Sequence, residues 1–431
     1  MLTKEENELL TQTGPGTPCG ELMRRYWQPV ALAEELPPGG APLPVRILGE
    51  DLVLFRDDAG QPGLLGLHCP HRGADLSYGR LEDGGLRCIY HGWLYDRTGQ
   101  CLEQPGEPAG STFYQRIKQT AYPCLEKAGV IFTYMGPGEP PLLPNYPPFS
   151  LPDERVFAGK MYSICNYLQG NEGNIDLLHT SFLHYIKRDL RGLTPEQRQL
   201  VLERYQEPES LSGRGPSPGL EAVEGQLIPY GLRICKIRKT GNDDIYVRLA
   251  TYLPPAITVI PGGTINWHVP IDDTHHWRWS IAFDDGSGGT PPRRNDWAPP
   301  PTYMPEPNAT NRYLQDRATM TTLSYSGIPQ MYFSAQDLCA TEGAGPIQDR
   351  TQEHLALTDA PIAAARTILR HAITEVLEGR DPPHVIRDPA KNHFPEVCGT
   401  YGMVPPGMTW KEYADQLAAE DKGWRARPFG V

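Results

Sequence analysis

Two short cysteine and histidine motifs constrain this chain more than any other feature. The first reads Cys69-Pro-His71, the second reads Cys88-Ile-Tyr-His91, and 16 residues separate them. Glycines at 73, 84, 85 and 92 allow the tight turns and close backbone approach that ligand-bearing loops need. Short apolar runs broken by Gly, Asp and Pro extend from about 43 to 145. This pattern predicts a compact β-rich domain that carries a metal centre.

Two thiolates and two imidazoles are compatible with two kinds of metal centre. Thiolates bind iron strongly, whereas neutral imidazoles donate less charge and make a cluster easier to reduce, which is the ligand mixture of Rieske [2Fe-2S] centres. A structural zinc site is the alternative, because two Cys and two His also form a tetrahedral set. Since the C-x-H spacing is unusual for zinc, the motifs favour a [2Fe-2S] cluster held by Cys69, His71, Cys88 and His91.

A second set of candidate ligands lies at residues 172–184, in a segment predicted to be helical over about 167–186. Glu172, Asp176 and His179 are spaced four and three apart, which puts them on one face of a regular helix. His184 would lie about 140° away from His179, so the helix must bend, bulge or end between these two residues if both imidazoles bind one metal.

Two histidines and one carboxylate with open positions opposite them form the iron site of non-heme Fe(II) oxygenases. A helix with two structural histidines is the alternative. The upstream iron–sulfur motif favours the metal centre, because a one-electron carrier and an O₂-activating iron are parts of one reaction. Spacing alone leaves four candidates for the carboxylate ligand: Asp337, Glu342, Asp349 and Glu353. Six other histidines match neither motif and are interpreted as structural: His268, His275, His276, His371, His384 and His393.

Together these residues resemble the large component of the Rieske non-heme iron oxygenases. The resemblance is greatest to the phthalate dioxygenase-like group, which includes aromatic O-demethylases such as dehydrodivanillate O-demethylase, and it extends from residues 14–27 to residues 334–355. It implies that Asp337 completes a mononuclear Fe(II) site with His179 and His184. It also implies that Asp176 is a catalytic bridging acid, hydrogen-bonded to His179 and, across a subunit interface, to His91. Many of these dioxygenases have Asn where this chain has Glu172, so no role at the iron is assigned to Glu172.

The resemblance further implies a terminal oxygenase that receives electrons from a separate NAD(P)H-dependent system. We find neither a G-x-G-x-x-G motif after a strand nor a ferredoxin C-x₄-C-x₂-C signature, so a ferredoxin and/or a flavin reductase is the expected partner. The expected assembly is a homotrimer or a multiple of it, and the expected substrate is a small aromatic, carboxylated or methoxylated. Ring hydroxylation and O-demethylation both stay open. The alternatives are N-demethylation, a non-aromatic substrate, or a Rieske protein that only transfers electrons.

The predicted fold class is α+β. An N-terminal helical segment (1–40) precedes the β-rich Rieske [2Fe-2S] domain (41–150), and a catalytic domain (151–431) follows with an antiparallel sheet flanked by helices, resembling a helix-grip fold. Helix signals include Thr17 before Pro18, a capping box at Thr194 and Gln197, and a second at Thr409 and Glu412. The long segments 187–219 and 284–330 are candidates for substrate gating or subunit contacts. Four residues are candidates for an aromatic pocket: Tyr303, Met304, Tyr325 and Met331.

Composition narrows the possible partners and compartments. The formal net charge of −12 disfavours nucleic acid and anionic membrane surfaces as partners. We find neither an apolar run of roughly 18 residues nor a signal-peptide pattern, which predicts a cytoplasmic protein. The nine cysteines are an odd number without regular spacing, so reduced thiols and metal ligands are expected rather than a disulfide framework.

Overall fold

Three small antiparallel sheets form the N-terminal part of the molecule. The computed structural model describes residues 1–185, 221–239, 244–284 and 298–424. The sheets have the strand orders β1-β11-β10, β2-β3-β4-β9 and β5-β6-β7-β8. The strands are β1 (Trp27–Leu32), β2 (Leu43–Ile47), β3 (Glu50–Arg56), β4 (Pro62–Gly66), β5 (Arg80–Glu82), β6 (Gly85–Arg87), β7 (Leu94–Tyr95), β8 (Cys101–Glu103), β9 (Ala121–Tyr122), β10 (Cys124–Lys127) and β11 (Val130–Tyr134).

One large antiparallel sheet dominates the C-terminal part. Its strand order is β12-β18-β17-β16-β15-β14-β13, and β19 pairs with β15. The strands are β12 (Val156–Ser163), β13 (Glu221–Ile228), β14 (Gly231–Lys239), β15 (Ile245–Leu253), β16 (Ile257–Val259), β17 (Ile265–Asp272), β18 (His275–Phe283) and β19 (Thr400–Met403). Since this sheet is flanked by helices, the predicted α+β organisation is confirmed.

Two helices begin at the capping residues that the sequence predicts. Thr17 accepts the Gly20 N–H (3.2 Å) ahead of α2, and Thr409 and Glu412 form a capping box ahead of α7. Gly379, with φ +78°, lies just beyond the end of α6. The helices are α1 (Lys4–Thr11), α2 (Pro18–Arg24), α3 (Pro147–Ser150), α4 (Tyr167–Ile175), α5 (Phe333–Glu342), α6 (Ala360–Leu377) and α7 (Trp410–Ala419).

Two sequence-based expectations about helices are wrong. The predicted helix over 167–186 ends at Ile175, because Asp176 adopts an extended conformation (ψ 98°) and its carboxylate accepts the Leu178 N–H (2.8 Å). The 1–40 segment is not only helical, because β1 lies in it and pairs with β11. The predicted helix that follows Thr194 and the segment 187–219 lie outside the described residues.

A single buried cluster joins the N-terminal segment, two of the small sheets, the large sheet and α6. It includes Leu22 of α2, Phe132 of β11, Trp267 of β17 and Leu369 of α6. This shared core fixes the large sheet against the N-terminal part and leaves the opposite face of β17 and β18 to α4. In the described parts of the chain, every helix is too short or too polar to span a bilayer.

Candidate metal centres

Two loops with the same backbone hydrogen-bond pattern carry the first set of predicted ligands. The Cys69 N–H donates to the carbonyl of Ala74 and the Gly73 N–H donates to that of Cys69, at 2.8 Å each. In the second loop the Cys88 N–H donates to the carbonyl of Trp93 (2.9 Å), and the Gly92 N–H to that of Cys88 (3.0 Å). Gly73 and Gly92 both have φ +75°, a conformation that glycine adopts without strain. The shared pattern presents one cysteine and one histidine from each loop.

The ligand side chains of the two loops face each other. The rings of His71 and His91 have centroids 4.4 Å apart, and Trp93 stacks on His71 at 4.3 Å. On the buried side, the Cys69 thiol lies 3.2 Å from the hydroxyl of Tyr95. Burial raises the pKa of Cys69, and the nearby Cys88 thiol adds to that effect. A positively charged metal centre would therefore hold the Cys69 sulfur as a thiolate.

The spacing of these donors distinguishes a cluster from a single zinc ion. Zinc binds its ligands at about 2.0–2.3 Å, so the donors of a tetrahedral site lie within about 4 Å of one another. Among the described residues, the only three His, Cys, Asp or Glu donors within 4.8 Å of one another belong to the second centre. The four Cys and His donors thus do not fit one zinc ion. They fit a two-iron cluster, in which separate irons take the cysteines and the histidines.

The second centre begins where α4 ends. The Asp176 carboxylate accepts the backbone N–H groups of Leu178 (2.8 Å) and His179 (3.3 Å), which turns the chain into a single helical turn over His179–Ser181. The His179 Nδ1–H donates to the main-chain oxygen of Asp176 (2.5 Å), whereas the Asp176 carboxylate lies 3.9 Å from that nitrogen. The predicted hydrogen bond between Asp176 and the His179 imidazole is therefore accepted by the backbone oxygen of Asp176 and not by its carboxylate. This contact leaves Nε2 of His179 available to a metal.

His184 is oriented by a glutamine from α5. Its Nδ1–H donates to Oε1 of Gln336 (2.6 Å), while Nε2 of Gln336 donates to the carbonyl of Ile328 and to Oε1 of Gln330, at 3.0 Å each. Because both amide hydrogens of Gln336 are used, its oxygen must face the imidazole. Phe333 stacks on the other side of His184 at 3.8 Å. Nε2 of His184 therefore points into the site.

Of the four candidate carboxylates, only Asp337 joins the two histidines. Its Oδ1 lies 2.8 Å from Nε2 of His184 and 3.6 Å from Nε2 of His179. The other three are occupied elsewhere: Glu342 by the Ile164 N–H and Tyr313, Asp349 by Thr351, and Glu353 by Arg366.

The donor set suits a divalent metal ion. With the ring proton of His184 on Nδ1, its buried Nε2 and Oδ1 of Asp337, 2.8 Å away, both present lone pairs that a cation would satisfy. Burial and the neighbouring His184 lower the pKa of His179, so its ring is neutral near pH 7. Burial raises the pKa of Asp337, but His184 and Arg278 outweigh that effect and keep the carboxyl ionised. Two imidazoles and one carboxylate are ligands that Fe(II) binds.

A cavity of about 430 Å³ opens beside His179, His184 and Asp337. The large sheet, α4, α5 and α6 contribute to its walls, and the larger apolar side chains of the lining are Leu177, Leu183, Ile260, Pro261, Phe333, Leu338, Leu355 and Ile362. Two cationic side chains, Arg248 and Arg278, lie on the sheet side. None of the four predicted pocket aromatics and methionines lines this cavity.

Glu172 is the acid of the 172–184 motif that pairs with arginines and does not join the metal-binding group. Its carboxylate accepts from Arg350 (2.8 Å) and Arg366 (2.6 Å), and Arg366 also pairs with Glu353. Burial raises the pKa of Glu172, but the two arginines more than offset that effect and lower it below the usual value. The motif thus contains one acid that anchors α4 to α6.

Two histidines interpreted as structural line the cavity. His276 Nδ1–H donates to the carbonyl of Cys165 (2.7 Å), His268 Nδ1–H donates to Nε2 of His276 (3.0 Å), and Asn174 donates to Nε2 of His268 (2.7 Å). Burial lowers the pKa of both rings, that of His276 to about 4, so both are neutral.

A period-2 pattern could have identified this wall of the cavity from the sequence. Polar residues alternate with core residues along β17 and β18: His276, Arg278 and Ser280 share one face, while Trp279 and Ile281 belong to the buried core on the other. The prediction from the sequence was limited to an antiparallel sheet in this domain and assigned no role to the polar face of these strands.

Comparisons with protein-family models identify both parts of the chain. Residues 26–123 match the Rieske [2Fe-2S] domain, and residues 133–426 match the family described as LigXa C-terminal domain like.

Comparisons with individual proteins extend over nearly the whole chain. The chain is 33% identical to the phthalate 4,5-dioxygenase oxygenase subunit of Pseudomonas putida, over 96% of this chain and 95% of that protein. It is also 33% identical to the 5,5'-dehydrodivanillate O-demethylase oxygenase subunit of a Sphingobium species, over 96% and 90%. Among solved structures, the terminal oxygenase of carbazole 1,9a-dioxygenase from a Novosphingobium species superimposes with a TM-score of 0.52 at 18% identity, covering 90% of this chain and 97% of that one. This last similarity shows the fold alone.

Proposed function

This chain is a terminal oxygenase component of the Rieske non-heme iron oxygenases, and from that premise we propose that it oxidises a small carboxylated or methoxylated aromatic compound with O₂. The observation that carries the proposal is the group of His179, His184 and Asp337, whose donor atoms lie within 4.8 Å of one another beside the cavity. When bound, the mononuclear iron supplies the O₂ chemistry and the cluster supplies electrons one at a time. Hydroxylation of the ring and O-demethylation are both within this chemistry.

Each group of residues has a distinct task in this proposal. Cys69, Cys88, His71 and His91 hold the [2Fe-2S] cluster, and His179, His184 and Asp337 hold the iron. The backbone oxygen of Asp176 and the side chain of Gln336 bind Nδ1 of His179 and His184, so that Nε2 is the atom that each imidazole offers to a metal.

Asp176 is proposed to couple the two centres across a subunit interface. Its Oδ1 is held by the Leu178 N–H (2.8 Å), and its side chain is 30% exposed, so its second oxygen can accept a hydrogen bond from a neighbouring subunit. The proposed donor is His91, in a homotrimer or a multiple of it. Electrons reach the cluster from a separate ferredoxin and/or flavin reductase.

Two observations support the substrate class. Named relatives act on phthalate and on dehydrodivanillate, both of which are carboxylated aromatics. The cavity combines an apolar lining suited to an aromatic ring with arginine side chains on one wall, a combination suited to an anionic ring compound.

The test is the iron and acid-labile sulfide content per chain after anaerobic purification. We expect about three iron and two sulfide per chain in the wild type, and about two iron and two sulfide in Asp337→Ala, with the visible spectrum of the cluster unchanged. Asp349→Ala is the matched control, because Asp349 is another of the four carboxylates that spacing left as candidates, but it is exposed and binds Thr351. This variant should keep the third iron. Retention of the third iron in Asp337→Ala, or zinc without sulfide in the wild type, would contradict the proposal.

A further inference from the structure

The two carboxylate oxygens of Asp337 contact different groups. Oδ1 faces the two imidazoles, 2.8 Å from Nε2 of His184 and 3.6 Å from Nε2 of His179. Oδ2 accepts a hydrogen bond from Nη1 of Arg278 at 3.3 Å. One oxygen therefore belongs to the donor set, and the other is held by a guanidinium group.

The sheet fixes the position of Arg278. Arg278 lies in β18 between Met161 of β12 and His268 of β17, on the strand face that is turned toward the cavity. Its side chain is 11% exposed, so water screens its charge only weakly. A guanidinium group stays protonated at any pH at which the protein is folded.

Asp337 is the one acidic partner of Arg278 among the described residues. Arg248, a second cation, lines the same wall. The two histidines there, His268 and His276, are neutral, and the charge of Arg278 contributes to lowering the pKa of each. Three further acids line the cavity: Glu172 and Glu353, which are paired with Arg350 and Arg366, and Asp176, whose carboxylate accepts the Leu178 N–H. The charge of Arg278 is therefore directed at Oδ2 of Asp337.

We infer that Arg278 is a positioning residue that keeps Oδ2 of Asp337 away from the metal, so that the carboxylate offers one oxygen only. A carboxylate that binds through both oxygens fills two coordination positions, whereas one that binds through a single oxygen leaves a further position open. With three protein donors, a six-coordinate metal has about three positions left for O₂ and solvent. The inference rests on the proposed function, in which Asp337 is a ligand. It adds that Arg278 determines how many oxygens of Asp337 bind the metal.

The experiment is difference infrared spectroscopy of metal binding. Protein that has lost its mononuclear metal and kept its cluster is titrated with Zn(II), which is redox-inactive, and [4-¹³C]aspartate labelling selects the aspartate bands. The separation between the antisymmetric and symmetric carboxylate stretches is wide when one oxygen binds the metal and narrow when both do. Asp337→Asn identifies the bands that belong to Asp337.

We expect a wide separation in the wild type and a narrow one in Arg278→Met. Arg155→Met is the matched control: Arg155 lies at the far end of the same strand pair, where it donates to the carbonyl of Asp284 (2.6 Å), and the separation should stay wide. Should Arg278→Met fail to fold, Arg278→Ala is measured with and without added guanidinium ion, which should restore the wide separation by occupying the vacated space.

Each outcome has a distinct meaning. Equal separations in the wild type and Arg278→Met, or a narrow separation in the wild type, would overturn the positioning role while leaving the metal centre intact. The absence of any Zn(II)-induced band from Asp337 in the wild type would overturn the proposed metal site itself.

Discussion

At the scale of single residues, the orientation of one amide decides which nitrogen of His184 is available. Gln336 donates both of its amide hydrogens to Ile328 and Gln330, so its oxygen can only accept from Nδ1 of His184. The imidazole is thereby fixed in one tautomer before any metal arrives. Partners of this kind, which do not touch the metal, typically change metal affinity by about 10–100-fold when they are removed.

Replacing Gln336 with leucine should therefore weaken Fe(II) binding at the mononuclear site by about 10-fold or more, because His184 loses its acceptor. The measurement is a competition titration with a chelator on cluster-containing protein, and the cluster spectrum should not change. Gln330→Leu is the control, because it removes a partner of the Gln336 amide and leaves the His184 contact in place. Equal affinities for Gln336→Leu and wild type would show that the tautomer of His184 does not depend on this contact.

Ligand types could be predicted from the sequence, but their supporting contacts could not. The C-x-H and C-x-x-H motifs indicated a mixed-ligand cluster, and the family resemblance selected Asp337 from four carboxylates that spacing could not separate. The contact between Arg278 and Asp337 joins residues 59 positions apart, and the contact between Gln336 and His184 joins residues 152 positions apart. Such contacts depend on the packing of β18, α4 and α5, which no local pattern contains.

At the scale of elements, α4 packs tightly because two of its residues are glycines. A Cβ atom at Gly170 would lie 2.6 Å from Nδ1 of His268 and 2.6 Å from Nε2 of His276, whereas one at Gly173 would meet Cγ2 of Thr341 at 3.3 Å. The first contact is with two rings fixed by hydrogen bonds and cannot relax easily. The second is with one methyl group.

Gly170→Ala should accordingly destabilise the protein by about 1–3 kcal/mol and lower the iron content of the mononuclear site, because α4 must shift away from β17 and β18. Gly173→Ala is the matched control on the same helix, where the helix propensity of alanine, up to about 1 kcal/mol better than that of glycine, offsets the mild crowding. Thermal midpoints and iron analysis of the two variants test this difference. A Gly170→Ala protein with wild-type stability and iron content would show that the rings of His268 and His276 can move to make room for the methyl group.

The end of α4 shows where periodicity stops predicting structure. Glu172, Asp176 and His179 have helical spacing, but the helix ends at Ile175 because the carboxylate of Asp176 binds the backbone of the following turn. The expectation that the helix must be interrupted for His179 and His184 to meet was correct in substance. Its position was wrong, because a local side-chain contact decided between helix and turn.

At the scale of the whole molecule, the cluster loops present apolar groups on the surface. Ile89 is 60% and Tyr90 54% exposed, and both lie in the loop between Cys88 and His91. Large exposed apolar side chains mark surfaces that other proteins cover. This observation agrees with the proposed trimer, in which the cluster of one subunit lies beside the iron site of the next.

Electron transfer between neighbouring subunits of the proposed trimer can be distinguished from electron transfer within one chain by combining two inactive variants. Asp337→Ala retains the cluster but lacks the iron site, and Cys88→Ala lacks the cluster but retains the iron site, so each homotrimer should be inactive. Mixed trimers can be isolated by co-expressing the two variants with different affinity tags and purifying on both. In a cyclic trimer, each mixed assembly contains one intact cluster next to one intact iron site, so about one third of the wild-type turnover per trimer is expected. Inactive mixed trimers with the expected iron and sulfide contents would mean that electrons pass within a single chain, because neither variant chain carries both centres.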